Sequence, residues 1–126
     1  MLEYRMNPHV ALEIDHIKGQ VVAEYKHFQD ISKLWKFGEC RMGSNPILKD
    51  GHYNGFFHSS LPWKGSKRRY FMGHYKFEAK PPFKITEISE KPILYGNEVD
   101  ERVLTDNSPL VVFPCGAIQK DNQFVI

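Results

Sequence analysis

His9–Asp15 alternates apolar and polar positions, with Val10, Leu12 and Ile14 on one side and Glu13 and Asp15 on the other. That period of two marks a half-buried strand whose Val10/Leu12/Ile14 side faces a core. Lys18-Gly19 supplies a turn, and Gln20–His27 returns with Val21, Val22 and Tyr25, so residues 9 to 27 read as a β-hairpin. Phe28–Phe37 carries Ile31, Leu34 and Trp35 at helical spacing, enough for a short helical turn or a packed loop before Gly38.

From Gly38 onward the punctuation is dense: Gly43-Ser44-Asn45-Pro46, Lys49-Asp50-Gly51, Leu61-Pro62-Trp63-Lys64-Gly65-Ser66, Lys80-Pro81-Pro82 and Ser108-Pro109. Between these breaks lie Ile47-Leu48, Tyr53–Ser59, Arg69–Phe77, Phe83–Ile88 and Leu110–Phe113, each of strand length and strand composition. The fold class expected is all-β, an antiparallel meander. Asn97–Ser108, with Glu98, Asp100, Glu101 and Asp106, reads as a solvated loop crossing between sheets.

Composition narrows the class. A chain of 126 residues has room for one domain with a modest core. Its 41% hydrophobic and 13% aromatic content excludes a disordered polymer, and the longest apolar run, Leu110–Pro114, is far too short to cross a bilayer. No membrane partner is therefore expected. Met1-Leu2-Glu3-Tyr4-Arg5 carries charges where a secretory leader needs an apolar block, which makes cytoplasmic residence the default expectation. Cys40 and Cys115 show neither CxxC nor Cys/His spacing, so no disulfide framework or zinc site is indicated, and both read as buried thiols. A net charge of +2 does not call for a polyanion. The one basic cluster, Lys64, Lys67, Arg68 and Arg69, reads as a solvated hairpin that discourages edge pairing, and a nucleic-acid partner is not indicated.

The ordered set Ser44-Asn45-Pro46-Ile47-Leu48, a Gly turn, Tyr53–His58, Tyr70-Phe71-Met72-Gly73, a Pro-Pro-Phe segment, Lys91-Pro92-Ile93-Leu94 and Val111–Gly116 resembles glycoside hydrolase family 130. The likeness covers roughly residues 38 to 126, and the closing Val-Val-Phe-Pro-Cys-Gly string is its most specific element. The resemblance implies blades of a five-bladed β-propeller. By the length of a blade in other propellers, this chain would supply about two to three of them, an incomplete propeller. It further implies a carbohydrate-active protein akin to inverting β-mannoside phosphorylases and glycosidases, with inorganic phosphate as co-substrate and no other cofactor. His58 and Tyr70 fall on matching positions and would donate hydrogen bonds to phosphate or sugar oxygens. The family's acid catalyst lies in an earlier blade, and Met1–Phe37 offers no Asp in that setting. The acidic sugar-binding motif that follows the Val111–Gly116 match would lie beyond Ile126.

Two further residues are candidates by chemistry alone. Arg41, before the Gly43 turn, is able to present a planar guanidinium to an anion, or to stand as a surface loop arginine. Trp63, at a hairpin tip, offers a flat ring to a sugar, or anchors its loop against the sheet. His58 and Tyr70 likewise have local alternatives, a hairpin-capping histidine and a core aromatic. His74 and Tyr75 read as packing or surface residues. Asp15, Asp50 and Asp106 are the acids to consider as proton donors, and none shows a neighbour that would raise its pKa as general acid catalysis requires. Three functions therefore stand side by side: a glycoside phosphorylase or glycosidase, a sugar-binding module without turnover, and an assembly module whose open edges pair with missing blades or a second copy.

Overall fold

A computed structural model describes residues 2–96 and 110–126. In chain order its strands are β1 (Leu2–Met6), β2 (His9–Asp15), β3 (Gln20–His27), β4 (Arg41–Met42), β5 (Ile47–Lys49), β6 (His52–Pro62), β7 (Arg68–Glu78), β8 (Ile85–Ile88), β9 (Leu94–Tyr95), β10 (Ile118–Lys120) and β11 (Gln123–Val125). A 3-10 turn at Ile31–Lys33 realises the short helical segment read from Phe28–Phe37, with Asp30 accepting from the Ser32 amide at its start. The protein is all-β and antiparallel, and among the described residues no sheet closes into a barrel. No described helix is long and apolar enough to cross a membrane. The solvated loop expected at Asn97–Ser108 lies outside the described residues.

The β6–β7 hairpin dominates. Eleven residue pairs run unbroken from His52 opposite Glu78 to Pro62 opposite Arg68. Its tip closes where Trp63 donates to the Lys67 carbonyl (2.9 Å). Two cross-strand pairs set a glycine against an aromatic, Gly55 with Tyr75 and Phe57 with Gly73. Each ring lies over the glycine facing it, in space that a Cβ would occupy. β4 and β5 pair with the outer edge of β6, and β8 and β9 with that of β7, making a six-stranded sheet. β1–β2–β3 forms a separate three-stranded sheet, and β10–β11 a small terminal hairpin.

The core lies between the two larger sheets. Phe57, Tyr75, Phe77 and Ile85 of the large sheet meet Met6 and Ala11 of the small one, with Ile31 and Trp35 filling one end. Trp35 donates its indole N–H to Ser59 Oγ (2.8 Å), and Ser59 donates onward to the Phe37 carbonyl (2.7 Å), tying the 28–37 segment to β6. A buried polar knot crosses the interface. Glu3 Oε1 accepts from Tyr75 OH and lies 2.8 Å from His9 Nε2, while His9 donates Nδ1–H to the Phe83 carbonyl (2.6 Å). Burial first, and Glu3 second, push the Tyr75 hydroxyl well above its ordinary pKa, so it stays a donor.

Several expectations are corrected. Val10 is buried as expected, but β2 turns His9 and Ala11, not Leu12 and Ile14, toward the large sheet, because the polar knot and the paired Tyr25 claim that side. Leu12 and Ile14 are left only half-buried on the outer face. Leu110–Phe113 is not a strand: Leu110 stands in a turn, residues 111–113 join no ladder, and the segment runs as a strap across the large sheet. Cys40 is a buried thiol pushed up to about 12, chiefly by burial, whereas Cys115 is exposed. The strands β1, β9, β10 and β11 carried no clear pattern in the sequence.

Candidate functional site

Strand parity places the site. On β6 and β7, odd-numbered side chains from Tyr53 and Phe71 onward face the small sheet, so Asn54, Phe56, His58 and Ser60 share the opposite face with Tyr70, Met72, His74 and Lys76. His58 lies opposite Met72, and Tyr70 opposite Ser60, one diagonal step away. Their rings are nearly parallel, 14° apart in plane with centroids 6.3 Å apart. On the other flank Arg41 of β4 is the direct cross-strand partner of His58. Three of the four sequence candidates are thus brought to one corner of one face.

The C-terminal strap lies along this face. Phe113 meets the His58 ring edge-on at 4.6 Å, and Tyr70 is tied by its backbone on both sides, its amide to the Leu110 carbonyl and its carbonyl to the Gly96 amide, both at 2.9 Å. Asn45 fastens the strap further along by accepting from the Ala117 amide (3.1 Å) and donating to the Ala117 carbonyl (3.2 Å). Gly43 is required where Pro114 passes, since a Cβ there would strike the proline ring.

Electrostatically the corner favours a neutral imidazole beside a fixed cation. Burial lowers the pKa of His58, the Arg41 charge lowers it further, and a Met42 backbone hydrogen bond partly opposes both. His58 Nδ1 is buried without a hydrogen-bond partner. Arg41 stays exposed, its Nη2 3.5 Å from Glu39 Oε2, so its fork is only loosely held. Together the groups offer an exposed guanidinium, a phenol and a half-buried imidazole, a set suited to phosphate or sugar oxygens.

Trp63 stands apart. The Arg69 guanidinium lies over its ring at 4.1 Å, reaches the Tyr95 ring at 5.4 Å and donates Nε–H to the Gly96 carbonyl (2.9 Å). Arg69 projects from the same side of β7 as Phe71, so this cation–aromatic stack belongs to the other side of the sheet from His58 and Tyr70. Trp63 is 37% exposed, with its ring beneath Arg69.

Of the acids considered as proton donors, the two that are described stand in turns. Asp15 holds the β2–β3 turn by accepting from the Ile17 and Lys18 amides, and Asp50 sits in the β5–β6 turn at φ 50°. Asp106 lies outside the described residues. Among the described residues no group of three or more His, Cys, Asp or Glu side chains is placed to hold a metal.

Sequence reasoning missed two groups. The Glu3–His9–Tyr75 knot carries no local signal, because Tyr75 is 72 positions from Glu3. The His52, Asn54, His74 and Lys76 cluster at the far end of the same face was legible by extending the odd–even count from His58. Comparisons with family models, with curated proteins and with solved structures found no match to this chain.

Proposed function

We propose that the chain is a carbohydrate-binding portion of a β-propeller-type glycoside phosphorylase or glycosidase, with His58, Tyr70 and Arg41 holding inorganic phosphate or a sugar oxygen. The convergence of those three side chains from β4, β6 and β7 on one corner carries this reading. A phosphate dianion is costly to desolvate without fixed positive charge and donors, and Arg41 with the two rings supplies both. The β6–β7–β8 meander has the up-and-down order expected of a blade. In phosphorolysis a phosphate oxygen would bond to the anomeric carbon as the glycosidic C–O bond breaks, and the departing oxygen would take a proton from an acid. Glu39, the carboxylate beside Arg41, is exposed and paired with it, so this corner binds and orients, and turnover needs an acid from elsewhere.

The test is a titration of the isotope-labelled protein with inorganic phosphate and with a β-linked mannobiose, alongside an assay for mannose 1-phosphate. Saturable shifts at His58 and Tyr70 without sugar phosphate release are expected. Resonances there that stay fixed at millimolar phosphate and mannoside would refute the assignment.

A second reading, assembly with further blades or another copy, has its own observation. The outer face of the three-stranded sheet leaves Leu2 49% and Val21 56% exposed on either side of Leu12 and Ile14. A defined multimer in light scattering, unaffected by sugar or phosphate, would favour it.

A further inference from the structure

The far end of the strap-covered face holds a second, chemically different hollow. A cavity of about 220 Å³ is lined by Lys49, Asp50, His52, Asn54, Lys76 and Phe124. Register explains why these residues meet. Lys49 of β5 faces His52 of β6 in one row, and Asn54 of β6, Lys76 of β7 and Glu87 of β8 form the next, so two adjacent rows place these residues on a single side. The β10–β11 hairpin folds over these rows and sets Phe124 against Phe56 (5.7 Å) and His74 (6.2 Å), making the far wall.

The lining is held in place. Asn54 is buried, its Oδ1 accepting from His74 Nε2 at 3.1 Å, which turns its amide nitrogen toward the His52 end. Lys49 lies over the Phe124 ring at 5.3 Å and donates to Asn122 Oδ1 at 2.8 Å, a neutral partner that leaves the ammonium charge uncompensated by that contact. Lys76, by contrast, is matched to Glu87 at 2.9 Å and holds that carboxyl below its usual range. His52 donates Nδ1–H to the Asp50 carbonyl at 3.3 Å, which leaves Nε2 for a ligand.

We propose that this cavity binds a small hydroxylated monocarboxylate, no larger than a single sugar acid, with its carboxylate on Lys49 and its hydroxyls on Asn54, His52 and Asp50. The occupant follows from the charge pattern. One ammonium with a neutral partner suits one negative charge, while Asp50 in the lining and Glu87 paired with Lys76 disfavour a second. A neutral sugar would leave the Lys49 charge unused, and a phosphate dianion would meet both acids. Phe124 gives the ring of the ligand an apolar wall. This site is separate from the His58–Tyr70 corner and stands whether or not that corner binds phosphate.

The experiment titrates the full chain with D-glucuronate, D-glucose and inorganic phosphate at one ionic strength, followed by amide and side-chain resonances and by calorimetry. Glucuronate is expected to shift Lys49, Asn54, Lys76 and Phe124 while leaving His58 and Tyr70 in place, and to bind at least about tenfold more tightly than glucose. Lys49→Met should cost about tenfold in glucuronate affinity. Asp50→Asn, in which Asn tolerates the left-handed turn conformation, should admit phosphate that the parent protein does not bind here. No shift with glucuronate, equal affinity for glucose, unchanged binding by Lys49→Met, or tighter binding of phosphate than glucuronate at these residues in the parent protein would each overturn the proposal. Should Lys49→Met fail to fold, an Asp50→Asn protein that still excludes phosphate from these residues would overturn the proposal instead.

Discussion

Replacing Gly55 with alanine isolates how the central hairpin is held. In an ordinary strand the change stabilises, because glycine gives up more backbone freedom on folding, by roughly 0.5 to 1 kcal/mol. Here an ideal Cβ would sit 2.6 Å from Tyr75 Cε1 and Cζ and 2.7 Å from its hydroxyl oxygen. Comfortable carbon contacts begin near 3.5 Å, so the ring must move by roughly 1 Å. Tyr75 has little room to do so: it is fully buried, packed against Phe57 and Phe77, and its hydroxyl is bonded to Glu3. Overpacking of this kind costs about 1 to 3 kcal/mol, and displacing the hydroxyl from Glu3 would add to it. Net destabilisation of about 2 kcal/mol is expected, which for a chain of this length lowers Tm by about 6 to 12 °C. Thermal unfolding followed by circular dichroism reads it directly. A second arm uses Tyr75→Leu as background, where Gly55→Ala should lose most of its cost because the ring is gone. A Tm that rises, or an equal cost in both backgrounds, would refute the claim that the ring occupies the Cβ position.

The buried knot gives a further prediction: Tyr75→Phe removes the donor to Glu3 and should cost about 1 to 3 kcal/mol in urea unfolding, more than an exposed Tyr4→Phe. Burial lowers the pKa of both His58 and His74, so the unfolded chain binds protons more readily than the folded one. Their contribution is complete above the unfolded value near 6.5 and is lost as pH falls through the folded values. Tm should therefore decline on acidification from pH about 7, and His74→Gln should flatten that slope. A neutral alkylating reagent at pH about 8 should modify exposed Cys115 within minutes and leave Cys40, pushed up to about 12, unmodified until denaturant is added. Arg69→Gln should shift the emission of Trp63 without altering phosphate-induced changes at His58, since the stack occupies the other side of the sheet.

Local chemistry in the sequence determined where the chain turns and which stretches extend. The Lys18-Gly19, Asp50-Gly51 and Lys64-Gly65 breaks fall at hairpin turns, and the β2–β3 and β6–β7 strands fall between them, because turn preference and strand propensity act over a few residues. The grouping of His58 with Tyr70 was half legible: with the hairpin tip placed near Lys64, alternation assigns both to one face. Tertiary structure alone decided the rest. Which side of β2 faces the large sheet depends on Glu3, His9 and Tyr75 finding one another across the core, and a buried carboxylate with partners outweighs the full burial of Leu12 and Ile14, while Val10 is buried all the same. Cys115 is exposed, and Leu110–Phe113 joins the sheet only through the Leu110 carbonyl on the Tyr70 amide, because the segment otherwise crosses a face whose backbone groups pair within the sheet. The second cavity exists only where a hairpin from the end of the chain comes to rest on four strands from its middle, a contact no periodicity encodes.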